Sequence, residues 1–217
     1  MKSKVKFVLV DLILAMLAGL SISIGCVAFL SSNNKVIGSL FFVVGLFLVC
    51  NFQFNLFTGK VCYALENKPI YIARLLLIWV GNFIGALLVA LLIRATRLSS
   101  LIPSAQALVN TKLNDNVGSL FILAIFCNIL IFVAVYGYSK FENVIAKTLA
   151  LVFGVSVFVL CGFEHCVADM FYFFFAGAWS WKMLGYLLMI TLGNCVGGLL
   201  IPASIKLINF LKKEKNK

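Results

Sequence analysis

A chain of 217 residues that is 63% hydrophobic and only 12% charged, with a mean hydropathy of +1.11, lies outside the composition of soluble domains and reads as an all-α polytopic membrane protein. Its formal charge of +11 does not signal nucleic acid, because the lysines stand at the edges of apolar runs, where they meet headgroups of the lipid bilayer. The seven cysteines sit inside or against apolar segments with no CxxC pair and no histidine cluster, so they read as small buried hydrophobes and imply neither disulfides, nor a metal, nor any other cofactor.

In chain order, Lys2, Lys4 and Lys6 precede an apolar run from Phe7 to Leu30, an uncleaved first span rather than a signal peptide. Ser31 to Asn34 signal a turn. A second span starts near Val36, stays apolar to Cys50, then meets Asn51, Gln53, Asn55, Thr58 and Gly59 before resuming briefly to Leu65. Such polar density makes a poor lipid-facing helix, and irregular backbone at depth is tolerated only beside protein or a water-filled cavity. Span three covers about Tyr71 to Ile93, followed by a polar interval from Arg94 to Asn116 with a short helix after Pro103. Span four runs from about Val117 to Tyr138, with Asn128 alone in its middle.

Span five is the run from Val144 to Trp179, 36 residues that as one helix would measure about 54 Å against an apolar core of about 30 Å. It cannot be one straight helix. In its middle lies a polar island, Cys161 to Asp169, holding Glu164, Asp169 and His165, the single histidine of the chain. Ionisable groups at that depth cost free energy unless they face a cavity or a partner, which marks the island as the candidate site. Span six extends from about Met183 to Phe210, before a solvated tail.

Six spans place both termini on one face. That face carries thirteen basic residues (Lys2, Lys4, Lys6, Lys60, Lys68, Arg74, Lys140, Lys147, Lys206, Lys212, Lys213, Lys215 and Lys217) against five on the other (Lys35, Arg94, Arg97, Lys112 and Lys182). By the positive-inside rule both ends are cytoplasmic. Lys140 and Lys147 read as snorkelling residues at the interface.

The two interrupted spans echo each other. Phe47 to Gln53 matches Phe158 to Glu164 at an offset of 111, and Gly81 to Leu88 matches Gly193 to Leu200 at an offset of 112. Units of three spans, an odd number, enter the membrane from opposite sides, which gives inverted repeats with helices two and five broken at corresponding places. One transmembrane domain is expected over residues 1–217, with repeat one at about 5–94 and repeat two at about 117–211. The glycines four apart in each copy suit close helix packing.

Gly162-Phe163-Glu164-His165, together with Asn55-Leu56-Phe57-Thr58-Gly59 and Cys127-Asn128, resembles the formate/nitrite transporter family over nearly the whole chain. The resemblance implies a homopentamer of aquaporin-like protomers in the cytoplasmic (inner) membrane of a prokaryote. Each protomer would pass small monovalent anions such as formate, nitrite or hydrosulfide. Carried over by position, the family's pore histidine falls on His165, its loop threonine on Thr58 and the adjoining asparagine on Asn128. Apolar constrictions fall on Leu46, Phe57 and Phe158 to one side of that centre and on Phe42 to the other, and a vestibule lysine falls on Lys112. Asp169 departs from the pattern, since the family most often has asparagine there, and a fixed negative charge near an anion path must be neutral, paired or turned away.

The residues support no catalytic role: one histidine without HExxH or GxSxG makes neither a metalloenzyme nor a serine hydrolase. Desolvation keeps His165 neutral at rest, with Thr58 and Asn128 fixing its tautomer. Either a proton passes to the anion beside His165, or the anion stays charged and is solvated by half-helix N-termini and by the His165 and Thr58 donors. Glu164 reads as structural, accepting backbone N–H groups freed by the break, and Asp169, four residues beyond His165, as a support for the imidazole. The run Phe171 to Phe175 reads as a lipid or subunit contact. A competing reading is an aquaporin-like channel for neutral solutes, which the absence of paired Asn-Pro-Ala motifs disfavours.

Overall fold

Asparagine starts three of the helices. In a computed structural model that describes the backbone of residues 2–215 and the side chains of 5–214, α1 (Lys2–Leu30) is followed by α2 (Lys35–Asn51), whose first N–H groups, on Val36 and Ile37, are accepted by Asn34 Oδ1 at 2.9 and 3.1 Å. Asn116 does the same for α6 (Val117–Lys140) through Ser119 N, and Asn143 for α7 (Val144–Cys161) through Ala146 N. Each satisfies a donor that the first turn leaves without an intrahelical partner. Between them lie α3 (Phe57–Val61), α4 (Tyr71–Arg94) and α5 (Ile102–Leu113), the last opened by Pro103, whose missing N–H costs nothing in a first turn. After α7 come α8 (Cys166–Ala176) and α9 (Trp181–Lys215). Of the basic residues counted for the cytoplasmic face, Lys217 lies outside the described residues, as do the side chains of Lys2, Lys4 and Lys215.

Five helices, α1, α4, α6, α7 and α9, are long and apolar enough to cross a membrane, and α2 and α8 are shorter apolar helices of 17 and 11 residues. Their outward faces carry Phe7, Ile72, Leu76, Leu92 and Phe153 at half exposure or more, a surface suited to hydrocarbon and not to water. The chain is an integral membrane protein.

α1 packs against α2 and α4, and α6 against α7 and α9 in the same pattern, while α2 meets α7 and α8 is gripped by α4 and α5. The two halves repeat one another down to individual hydrogen bonds. Asn82 on α4 donates through Nδ2 to the carbonyls of Ala15 and Asn55 and accepts from Phe57 N at 2.8 Å. Asn194 on α9 donates to the carbonyls of Ala124 and Glu164 and accepts from Cys166 N at 2.9 Å. Both asparagines are fully buried. Each ties the first helix of its half to the break and caps the short helix that follows, so polar backbone is satisfied where no water could do so. The bridged residues correspond at an offset of 109 before and within the breaks. The match at 111 over Phe47 to Gln53 is thus not kept at the bridged residues, and the break lengths, five residues in the first half and four in the second, account for one of the two positions.

The repeated glycines set the approach of the helices. A Cβ on Gly85 would stand 2.1 Å from the Met16 carbonyl oxygen, and one on Gly197 2.1 Å from that of Ile125. These contacts lie within one chain. The phenylalanine run is a correction: Phe171, Phe173 and Phe175 are fully buried beneath α4 and α5, not spread on a lipid or subunit face. Cys161, expected to be buried, is exposed at the end of α7.

Candidate functional site

Because α2 meets α7, the two breaks face each other near the middle of the protein. The first runs through Phe52 to Leu56, with Gln53 in the left-handed region at φ 55°, and the second begins at Gly162, whose φ of 72° turns the chain out of α7. Across the gap Thr58 Oγ1 lies 2.9 Å from His165 Nε2. His165 is also the N-cap of α8: its Nδ1 accepts from Ala168 N at 3.2 Å. A ring nitrogen that accepts carries no proton, so the imidazole is the neutral form with hydrogen on Nε2, and Thr58 Oγ1 accepts from it. The Thr58 hydroxyl hydrogen is left free to be donated onward.

Asn128 joins the same cluster from α6. Its Nδ2 donates to the Thr58 carbonyl at 3.1 Å, while its Oδ1 is buried without a partner among the described residues. Gly198 of α9 makes the room, since a Cβ there would stand 2.3 Å from Asn128 Nδ2. The tautomer of His165 is thus set by Thr58 and the Ala168 amide, with Asn128 holding Thr58.

Two cavities flank this cluster. One, of about 100 Å³, is lined by Lys35, Phe42, Lys112, Phe158, His165 and Asp169. The other, of about 210 Å³, is lined by Val49, Gln53, Leu56, Gly59, Lys60 and Tyr138. They touch α2 at opposite ends, and Leu46, 1% exposed, stands on the turn between them. Phe57, the first residue of α3, is buried beside Thr58. Phe158 is repositioned relative to expectation. It meets Phe42 edge-on at a centroid distance of 5.7 Å and stacks on the His165 ring at 5.5 Å, so it shares the Lys112-side cavity with Phe42 and does not group with Leu46 and Phe57.

The acidic residues also differ from expectation. Glu164 contributes its main-chain carbonyl to the Asn194 bridge, but its carboxylate accepts from Lys112 Nζ and from no backbone N–H among the described residues. Asp169 does not hold the imidazole. Its Oδ1 lies 3.0 Å from Lys112 Nζ and its Oδ2 is buried with no partner among the described residues. Lys112 itself reaches in from α5, outside the spanning helices. Burial alone would lower its pKa, but the carboxylates of Asp169 and Glu164 outweigh burial and hold the ammonium above its ordinary range. On the opposite side of the molecule, Asp11 is gripped by Arg74 at 2.8 Å through both carboxylate oxygens and by Asn55 Nδ2 at 2.9 Å, which fastens the first break to α1 and α4.

Sequence reasoning passed over Asn82 and Asn194. Both stood in the matched Gly-Asn motifs, where the glycines drew the attention, yet a repeated asparagine inside an apolar helix is itself the signal of a buried bridge. No group of three or more histidine, cysteine or acidic side chains capable of holding a metal occurs among the described residues.

A family model described as formate/nitrite transporter matches residues 2–208. The chain is 32% identical over 201 residues to the uncharacterized transporter YrhG of Bacillus subtilis (strain 168), covering 86% of this chain and 76% of the relative. It is also 32% identical over 209 residues to a probable formate transporter of Methanothermobacter thermautotrophicus, with 82% and 76% covered. Among solved structures, a pentameric formate channel with formate bound superposes with a TM-score of 0.83 at 25% identity, over 95% of this chain and 98% of that one. An FNT family ion channel does so with a TM-score of 0.76 at 25% identity, over 92% and 88%. In sequence and in fold, the chain belongs to the formate/nitrite transporter family.

Proposed function

We propose that this protein is a channel for small monovalent weak-acid anions, formate, nitrite or hydrosulfide, with one path through each protomer of a homopentamer. The observation that carries this reading is the pair of cavities at opposite ends of α2, with buried Leu46 on the turn between them, Phe42 and Phe158 on the wall of the Lys112-side cavity and the Thr58–His165 pair beside them. Residues 1–217 form one channel domain of six membrane passages in two inverted repeats, about 5–94 and 117–211, and the matched Asn82 and Asn194 bridges support that division. The distribution of basic residues supports an orientation with both termini on the cytoplasmic side of a prokaryotic inner membrane, which makes the Lys60 cavity the inner vestibule and the Lys112 cavity the outer one. The assembly is supported by the fold shared with a pentameric formate channel.

An apolar layer makes a bare anion costly, by several kcal/mol after relaxation. Two features offset that cost. Lys35 raises the anion concentration at the outer mouth. The Thr58 hydroxyl, its oxygen already occupied by the imidazole N–H, has a hydrogen free to donate to the passing species beside His165. His165 thus acts through Thr58, as the group that orients the donor.

Stopped-flow uptake of formate, nitrite and hydrosulfide into proteoliposomes under a set pH gradient tests the reading. Uptake of at least one anion above protein-free vesicles is expected, with His165→Phe abolishing or redirecting it while the protein still elutes as the same oligomer. No uptake of any of the three, or equal uptake by His165→Phe, overturns it. Passage of a neutral solute alone would point to the aquaporin-like alternative.

A further inference from the structure

Beside the outer cavity, the cluster of Lys112, Glu164 and Asp169 holds one more carboxylate than the cation in contact with it neutralises. Lys112 Nζ is the single cation among the described residues in contact with the two acids, Glu164 on the break and Asp169 on the first turn of α8, and the side chains of both acids are at least 95% buried. Glu164 and Lys112 make a balanced pair. Asp169 is then surplus, and its Oδ2 faces no donor. An ionised carboxylate requires donors on both oxygens when it is withdrawn from water, and two carboxylates confined to one such site do not both ionise. A carboxylic acid meets neither difficulty: it is neutral, and its O–H is a donor that needs only an acceptor in the cavity.

We infer that Asp169 is a resident carboxylic acid, with its proton on Oδ2, and that it is the proton donor to weak-acid anions in the outer cavity. The other charged group along that cavity is Lys35 of α2. Titratable neutral groups around Asp169 are His165 and Tyr172 on the cavity wall, Cys26 of α1 at the Ala168 carbonyl, and Cys127 of α6. Thr58 of α3 stands across the His165 ring without titrating, and Cys195 of α9 lies behind Cys166. His165 is poorly placed to serve as the donor, because a second ring proton would displace the Ala168 N–H from Nδ1.

The step is a proton exchange. The Oδ2–H bond of Asp169 breaks as an O–H bond forms on the anion, the neutral acid moves on through the apolar layer, and the Asp169 carboxylate takes a proton back from water at the outer mouth. Lys112 stabilises the transient carboxylate through Oδ1. A cavity built this way discriminates by basicity: an anion of a weak acid takes the proton, and an anion of a strong acid of similar size does not.

The consequence for flux rests on the channel reading, but the protonation itself can be measured without transport. Infrared spectra of the reconstituted protein are expected to contain the carbonyl band of a buried protonated carboxylic acid at neutral pH. That band shifts when aspartate side-chain carboxyls carry ¹³C and is lost in Asp169→Asn. Absence of the band, or a band that the aspartate label does not move, overturns the assignment; the labelled wild-type protein decides it even where the variant fails to fold. In proteoliposomes, the ratio of formate uptake by wild type to that by Asp169→Asn cancels formate's own titration. It is expected to fall as the outer pH rises through the loss of the band, and a ratio flat with pH overturns the donor role. Formate uptake by neither protein at any pH, with the infrared band present, would instead sink the channel reading.

Discussion

Thr58 and His165, 107 residues apart in the chain, share a 2.9 Å hydrogen bond that closes the gap between the two breaks. His165 is fixed within its own half and Thr58 by the other. His165 is aimed by the Ala168 amide, Thr58 by Asn128, and the bond between them is the point at which the repeats join.

Replacing Thr58 by valine keeps the volume and removes the acceptor, leaving the imidazole N–H buried and unpaired at a cost of about 1–3 kcal/mol. Thr58→Val is expected to lower both the unfolding temperature in detergent and formate uptake, and Thr58→Ser to retain both. Equal uptake by the valine and serine variants would remove the hydroxyl from the path.

Each bridging asparagine makes three buried hydrogen bonds to backbone. Asn82→Ala and Asn194→Ala each strand a carbonyl pair and a helix N–H, for a loss of about 3 kcal/mol or more. The two losses are expected to agree within about 1 kcal/mol, since the geometries repeat. Chemical denaturation followed by tryptophan fluorescence measures both, and a null effect in either copy contradicts the bridge.

Lys112→Met leaves Glu164 and Asp169 facing each other without a cation. Removing one partner of a buried ion pair costs about 3–5 kcal/mol. The variant is expected to lose thermal stability, and the triple variant Lys112→Met, Glu164→Gln, Asp169→Asn to regain most of it. Failure of the triple variant to recover would mean that Lys112 acts by packing and not by charge.

Gly85→Ala and Gly197→Ala each drive a methyl to within 2.1 Å of a backbone oxygen on the neighbouring helix, so the helices must part. Overpacking of this kind costs about 1–3 kcal/mol. At Gly185, where a Cβ meets open space, the same substitution is expected to be neutral or slightly stabilising through helix propensity. A thermal-unfolding series across the three variants checks the order, and equal midpoints would contradict the close approach.

Much of the architecture was legible in the chain because a membrane leaves few options. Apolar runs of spanning length, the turn signal of Ser31 to Asn34, and a 36-residue run too long to cross once already imply helices, turns and a break. His165 could be singled out because an ionisable side chain at that depth is rare, while Thr58 and Asn128 were reached through the family resemblance. The partners of the acids were not legible. Whether Glu164 and Asp169 turn to backbone, to the imidazole or to Lys112 depends on where α5 docks, and α5 is an amphipathic segment of the polar interval whose position only packing against α8 decides. The same holds for Phe171 to Phe175, since an apolar residue looks alike whether it meets lipid or protein. One-dimensional patterning records how deep and how polar each segment is; which groups then meet, and which carboxylate is left over, is settled by the docking of helices from both halves.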